Sequence, residues 1–251
     1  MGSFLCLCVA ETGDLKVKMV VGQVLGLAYL VMHPSQLKHL VVKHTRYKNR
    51  NQTKRKWIEW QKYNSSRIEA ALKTHGAEAL VRPFNVARIE TISNMVRPLG
   101  KELQILDVGG GDGLIGEHLW KMENHIATID LPTVSSQSHK REFLSSVTGD
   151  AEKLPFKLNS FDVVLASEIV EHLWAPNSFL DDAYKILKTG GHLIISTPDG
   201  VDGLRYDSHK HFYTVEILEK LLTQKFNLTQ VKRLTDVGTP TPTIIVMFQK
   251  V

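Results

Sequence analysis

The feature that most constrains this chain is a short apolar run that ends in a cluster of glycines. Residues 105–113 read Ile-Leu-Asp-Val-Gly-Gly-Gly-Asp-Gly, and residues 114–121 that follow have helical spacing. A buried strand that turns through glycines into a helix brings backbone N–H groups close to an anionic ligand. The pattern therefore predicts the first strand, turn and helix of an α/β domain that binds a cofactor at this turn.

Apolar runs and helical patterns alternate along the rest of the chain at the spacing of βαβ units. Strands are predicted at Gln104–Val108, His125–Asp130, Ser146–Gly149, Phe161–Ser167, His192–Thr197, Leu228–Leu234 and Thr243–Gln249. Helices are predicted at Leu114–Lys121, Ser135–Leu144, Pro176–Leu187 and Thr214–Thr223, with Gly190 and Gly191 as the stop of the third. We therefore predict a Rossmann-like sheet of seven strands, mostly parallel, with helices on both faces and one antiparallel edge strand.

Charge is distributed unevenly along the 251 residues. Residues 1–56 contain 10 Lys or Arg and 2 Asp or Glu, whereas residues 57–251 have a net charge of −3. We predict three parts: a basic, partly apolar extension over 1–56, a helical lead-in over 57–100 that lies over the carboxyl edge of the sheet, and a cofactor-binding domain over 101–251.

The segment Met19–Met32 is apolar, but its 14 residues are fewer than the roughly 20 that a membrane-spanning helix needs. We expect a helix here, which either packs on the domain or docks on an anionic membrane together with the basic residues 38–56. Cys6 and Cys8 are too close together to staple a fold, which fits a reducing compartment. The expected location is the cytoplasm, with peripheral membrane contact through residues 19–56 as the alternative.

Electrostatics distinguishes two cofactor classes at the glycine turn. Gly111 to Gly116 satisfy the dinucleotide pattern G-x-G-x-x-G, whose turn receives a pyrophosphate. Asp107 beside the turn would repel that group. S-adenosylmethionine (SAM) instead offers an ammonium that Asp107 attracts and a carboxylate to which the turn amides can donate, so Asp107 favours SAM.

The residues from Asp107 to Gly113 resemble the (D/E)-x-G-x-G-x-G signature of class I SAM-dependent methyltransferases, and the resemblance continues in order for about 150 residues. It implies that Asp130 binds the ribose hydroxyls, that Asp150 accepts from the adenine amino group, and that Glu168 lies beside the methyl group. The implied cofactor-binding set is Asp107, Gly109, Gly110, Gly111, Asp130, Leu131, Asp150, Ala151 and Glu168. The alternative for Asp130 is a helix-capping or surface acid, and the alternative for Asp150 is a turn residue.

The string Glu168-Ile-Val-Glu171-His172 is the second chemical feature. In a helical turn, Glu171 and His172 return to the face of Glu168 and offer donors for a divalent metal. The string resembles the metal-binding segment of ubiquinone-pathway O-methyltransferases and of small-RNA 2′-O-methyltransferases. The alternative is that Glu168 and His172 shape the pocket while Glu171 caps or solvates the helix.

A histidine-rich segment, His209-Lys-His211-Phe-Tyr, follows the fifth predicted strand. His209 or His211 either completes the metal site or acts as a base, and the alternative is a polar surface loop. We take His172 and His211 as the candidate catalytic residues.

Methyl transfer to an O, N or C nucleophile of a small molecule is the function that these residues favour. The alternatives are methylation of RNA, to which the basic residues 38–56 point, a nucleotide-dependent oxidoreductase, and a SAM-binding protein without catalysis. Nucleic acid is the less favoured partner, because the chain has no recognisable RNA-binding module.

Overall fold

The computed structural model of the chain describes residues 17–20, 29–32, 83–111, 113–131, 143–200, 209–235 and 241–251. The chain divides into two compact units, residues 1–53 and 54–251. Among the described residues, no helix has the length and apolar character needed to cross a membrane.

In the first unit, strands β1 (Val17–Val20) and β2 (Tyr29–Met32) pair antiparallel, with Val17 opposite Met32. The helix expected over Met19–Met32 is therefore wrong at both ends of that segment. β-branched and aromatic residues in both strands favour an extended chain, and glycines between them disfavour a helix. Residues 21–28 and the basic run 38–56 lie outside the described residues, as do Cys6 and Cys8.

The second unit contains a seven-stranded sheet. Its strands are β3 (Gln104–Val108), β4 (His125–Asp130), β5 (Leu144–Thr148), β6 (Phe161–Ser167), β7 (Leu187–Pro198), β8 (Phe226–Leu234) and β9 (Thr243–Lys250). Their order is β5-β4-β3-β6-β7-β9-β8, and β9 runs antiparallel to both neighbours. The predicted fold is confirmed, and the antiparallel strand lies second from the edge, inside β8.

The helices of this unit are α1 (Pro83–Val96), α2 (Leu114–Trp120), α3 (Pro176–Ile186) and α4 (Val215–Leu222), with 3₁₀ turns at Arg97–Leu99 and Val170–His172. α4 begins where the sequence predicts, because the Thr214 hydroxyl accepts from the backbone N–H of Ile217 at 3.3 Å. Pro176 occupies the first turn of α3, where its missing N–H costs nothing.

Two predicted boundaries are wrong. Gly190 and Gly191 do not stop a helix, because α3 ends at Ile186 and both glycines lie inside β7. Gly190 has φ +76°, and a Cβ on Gly191 would lie 2.9 Å from the Lys188 carbonyl oxygen. Leu144, predicted to end a helix, begins β5; residues 135–142 of that predicted helix lie outside the described residues.

The core has two layers, one on each face of the sheet. One face packs against α3 and α4, with Phe179 and Leu222 fully buried, and the other against α1 and α2, with Ile92 and Leu119 fully buried. α1 and the following 3₁₀ turn cover residues 83–99 of the predicted lead-in, whose residues 57–82 lie outside the described residues, and α1 packs on a face of the sheet. The apolar side chains of α1 explain this position, because they need a sheet face to bury them.

Candidate functional site

The turn after β3 has the backbone that its glycines predict. Gly109, Gly111 and Gly113 have φ of +72°, +58° and +79°, a region that favours glycine. The Gly109 N–H donates to the Ile129 carbonyl at 2.8 Å, and the Gly113 N–H donates to the Gly110 carbonyl at 2.9 Å. The turn is therefore fixed both internally and to β4 before any ligand binds.

Gly110 cannot carry a side chain in this arrangement. A Cβ there would lie 2.2 Å from Thr128 Oγ1 and 2.9 Å from Asp107 Oδ2, and a Cβ on Gly109 would lie 2.5 Å from Ile169 Cδ1. The absence of side chains leaves the backbone of the turn as the surface that a ligand meets.

A cavity of about 150 Å³ opens at this turn. It is lined by Asn85, Arg88, Ile89, Asp107, Gly109, Gly110, Gly111, Leu114, Ile115 and Ser167. Four predicted cofactor residues, Asp107 and the three glycines, therefore come together. The other predicted cofactor residues lie outside this lining: Asp130, Leu131, Asp150, Ala151 and Glu168.

Arg88 is a cavity residue that the sequence analysis did not identify. It lies on α1, its Nη2 donates to Asn85 Oδ1 at 3.1 Å, and its guanidinium lies 4.7 Å from the centre of the Phe84 ring. It brings a positive charge into a cavity that otherwise contains the Asp107 carboxylate. A single arginine on an amphipathic helix gives no signal in one sequence, so only the packing of α1 identifies it.

Asp130 fastens the glycine turn to β4. Its Oδ2 accepts from the Gly111 N–H at 2.9 Å and its Oδ1 from the Leu131 N–H at 2.7 Å. Burial raises the pKa of Asp130 above its usual value, and the two backbone N–H groups offset part of that rise. A carboxylate has capacity for more than these two backbone donors, so the local role of Asp130 is compatible with binding of the ribose hydroxyls.

Asp150 forms a turn, as one of its two interpretations predicted. Its Oδ1 accepts from the Glu152 N–H at 2.9 Å, and its carbonyl accepts from the Lys153 N–H at 3.0 Å. Ala151 packs, partly buried, against the core. Glu152 connects this loop to the segment after the E-x-x-E-H string, because its Oε1 accepts from the Trp174 N–H.

The two glutamates of the E-x-x-E-H string are held by neighbouring residues of β7. Glu168, at φ +56°, accepts from the Ser196 hydroxyl at 2.9 Å, and the buried Glu171 accepts from the Thr197 hydroxyl at 3.1 Å. Burial raises the pKa of Glu168. It raises that of Glu171 further, because the Glu168 charge adds to burial there, while the Arg88 guanidinium lowers both.

The histidines gather on Glu171. His172 Nε2 lies 3.9 Å from Glu171 Oε1, and the rings of His172 and His209 meet edge to face with centres 4.6 Å apart. One ligand atom from each of Glu171, His172 and His209 lies within 4.8 Å of the others. Glu168, the third predicted metal candidate, is not in this cluster. His211 joins it through its backbone, whose N–H donates to the Glu171 carbonyl at 3.2 Å.

The polar-surface alternative for the segment His209–Tyr213 is wrong at His209, which is only 7% exposed. Its ring lies against His172, and the next backbone N–H, that of Lys210, donates to the Glu171 carbonyl at 2.7 Å. The contact between His172 and His209 joins residues 37 positions apart in sequence, so no local sequence pattern predicts that His209 is buried.

Comparison with known proteins adds a family. Residues 106–195 match a family model described as a methyltransferase domain. The ubiquinone/menaquinone biosynthesis C-methyltransferase UbiE of Ruegeria sp. is 38% identical over 102 residues, 37% of this chain and 41% of that protein. The ubiquinone biosynthesis O-methyltransferase of Azorhizobium caulinodans is 40% identical over 123 residues, 47% of this chain and 48% of that protein. This chain therefore spans about half or less of these curated relatives.

The fold points in the same direction. The N-methyltransferase NodS from Bradyrhizobium japonicum WM9, solved with S-adenosyl-L-homocysteine, has a TM-score of 0.59 at 18% identity, covering 67% of this chain and 88% of that chain. The segment matched by the family model runs from β3 into β7 and contains the glycine turn, Asp130, Asp150 and the E-x-x-E-H string. Sequence and fold agree: residues 106–195 are similar to a methyltransferase domain, and they lie within a fold that solved methyltransferases share.

Proposed function

We propose that this protein transfers a methyl group from SAM to a nucleophilic O, N or C atom of a small molecule. The observation that carries the proposal is the cavity in which the Asp107 carboxylate, the glycine turn and the Arg88 guanidinium meet. The amino-acid tail of SAM carries an ammonium and a carboxylate. A carboxylate beside backbone amides and a guanidinium matches that pair of charges.

The Asp107 charge disfavours a dinucleotide. A pyrophosphate at the turn would place two negative charges beside Asp107, which is 1% exposed and is therefore weakly screened by solvent. The oxidoreductase alternative thus has only its G-x-G-x-x-G match, whereas the SAM assignment has the charge pattern, the fold and the matched family segment.

The sulfonium of bound SAM supplies an activated methyl group, so the protein's tasks are to align the acceptor, exclude water and remove the acceptor's proton. We assign the base to His172, at Nε2. Glu171 Oε1, 3.9 Å away, would stabilise the imidazolium that forms. His211 is the second candidate, since its backbone is bound to the same Glu171.

We further propose that Glu171, His172 and His209 can hold a divalent metal. Glu171 Oε1 is buried and has no hydrogen-bond partner among the described residues, and two imidazoles converge on it. One carboxylate and two imidazoles form a donor set typical of first-row transition metals. With an ion bound, His172 would be a ligand and His211 the base that remains. Glu168 would not be one of the metal ligands, and it is held beside them by the Ser196 hydroxyl.

The acceptor class follows from less specific observations. The similar proteins from Ruegeria sp. and Azorhizobium caulinodans are named as methyltransferases of quinone biosynthesis, which supports a small-molecule acceptor. RNA is the weaker alternative, because the basic residues lie in 1–56 and residues 57–251 have a net charge of −3. We assign to residues 1–56 the contact with a membrane surface or partner, and to the protein a cytoplasmic location with that peripheral contact.

The cofactor assignment is tested by Asp107→Asn, which removes the charge and keeps the shape. We expect S-adenosyl-L-homocysteine to bind the variant about 10- to 100-fold more weakly by calorimetry, because one charge-assisted contact is lost. Asp181→Asn, in an exposed ion pair with Lys225, is the control and should bind normally. Equal affinity of Asp107→Asn and wild type, or tighter binding of NADH than of S-adenosyl-L-homocysteine by wild type, would contradict the assignment.

Metal binding is tested by titrating chelator-treated protein with Mn²⁺ and Zn²⁺. Replacing one ligand, as in His209→Gln, should weaken binding at least about tenfold. The matched change His125→Gln, at the exposed amino end of β4, should leave binding unchanged. If His209→Gln and His125→Gln bind both ions as wild type does, the cluster is not a metal site.

Glu171 also predicts a pH dependence of stability in the chelated protein. Its folded pKa is raised well above 4.5, so its contribution to stability is complete below about pH 4.5 and is lost as pH rises through the folded value. Glu171→Gln cannot ionise, so its free energy of unfolding should exceed that of wild type by about 1–3 kcal/mol at pH 8 and not at pH 4. Glu219→Gln, exposed on α4, is the control. If the difference in free energy of unfolding between Glu171→Gln and wild type does not grow with pH, the ionised Glu171 does not destabilise the folded protein.

The role of the extension is tested by deleting residues 1–56. We expect the truncated protein to lose co-sedimentation with vesicles that contain anionic lipid, because eight Lys or Arg residues between 38 and 56 are removed. Its affinity for S-adenosyl-L-homocysteine should be unchanged. Lost cofactor affinity would mean instead that the extension belongs to the cofactor site.

A further inference from the structure

One lysine joins the parts of the site that carry the histidines. The backbone N–H of Lys210 donates to the Glu171 carbonyl at 2.7 Å, and its Nζ donates to the His172 carbonyl at 2.7 Å. The same Nζ lies 4.5 Å from the centre of the Trp174 ring. A single residue therefore contacts the backbone carbonyls of both Glu171 and His172.

Trp174 is a fixed platform for that ammonium. Its backbone N–H is bound by Glu152, which lies in the loop that begins with the Asp150 turn. An ammonium over an indole face gains from the ring quadrupole, and the gain increases with partial burial. The platform thus connects the loop that begins with the Asp150 turn to the segment that carries the second histidine.

The two imidazoles depend on this arrangement. His209 directly precedes Lys210 in the chain, and its ring contacts that of His172 edge to face. The Lys210 Nζ donates to the His172 carbonyl. The Lys210 backbone N–H, which directly follows His209 in the chain, donates to the Glu171 carbonyl. The contacts of Lys210 therefore link two side chains that approach each other from segments far apart in sequence.

We propose that Lys210, seated on Trp174, is a positioning residue that aligns the His172–His209 pair for the reaction. The inference rests on the proposed function only for the reaction that the pair serves. Lys210 itself does not exchange the acceptor's proton. A misplacement of about 1 Å in a group that aligns or deprotonates a substrate can cost on the order of 100-fold in rate.

Lys210→Met tests the proposal, because methionine keeps the apolar stem and removes the ammonium. In the full-length protein, we expect the Cε1–H resonances of His172 and His209, assigned with His172→Gln and His209→Gln, to shift away from their wild-type positions. Lys210→Arg should restore them, since a guanidinium both donates and stacks on an aromatic ring. Trp174→Leu should shift the same two resonances, and Lys157→Met, at an exposed position, should not.

Histidine resonances that do not move in Lys210→Met would overturn the proposal, as would Lys210→Arg shifted as far as Lys210→Met. If Lys210→Met does not fold, Trp174→Leu and Lys210→Arg decide by the same signals. Binding of S-adenosyl-L-homocysteine should be unchanged in the folded variants, and methyl transfer to an accepted substrate should fall up to about 100-fold in kcat. If wild type binds no S-adenosyl-L-homocysteine, the proposed function fails, while the resonances still decide the role of Lys210.

Discussion

Two hydrogen bonds between neighbouring strands fix the centre of this domain. The Gly109 N–H donates to the Ile129 carbonyl, and the Gly111 N–H donates to the Asp130 carboxylate, so the turn after β3 is fastened to the end of β4. Because glycine fills the turn and Gly110 has no room for a Cβ, backbone amides line the cavity directly. The charge of Asp107 and the conformation of those amides are thus set by the sheet itself.

The two glutamates of the E-x-x-E-H string are held in a different way from the glycine turn. Glu168 and Glu171 follow β6 and are held by consecutive residues of β7, Ser196 and Thr197, while Arg88 on α1 lowers the pKa of both carboxyl groups. The helix that contributes Arg88 to the cofactor cavity therefore also contributes positive potential to the glutamates. Charge at the two halves of the site is linked through this one guanidinium, although no hydrogen bond joins it to either glutamate among the described contacts.

The sequence predicted those parts of the molecule that are determined locally. The bounds of β3, β4 and β6 are those expected, because each is a buried apolar run that ends in a turn or a polar residue. The helix expected over Met19–Met32 is wrong because an apolar segment with β-branched residues also forms strands. The helix stop expected at Gly190–Gly191 is wrong because glycines also permit a close approach of backbone within a sheet. Arg88 and the burial of His209 depend on contacts between distant segments, which no local pattern records.

The central claim is that a carboxylate next to an amide-lined turn selects the zwitterionic tail of SAM. A crystal structure of the full chain with S-adenosyl-L-homocysteine measures this directly. We expect the amino group of the bound ligand within hydrogen-bonding distance of Asp107, and its carboxylate beside the Gly110 N–H or the Arg88 guanidinium. Density that places the amino-acid tail away from Asp107, or an adenine ring in the cavity in its place, would contradict it.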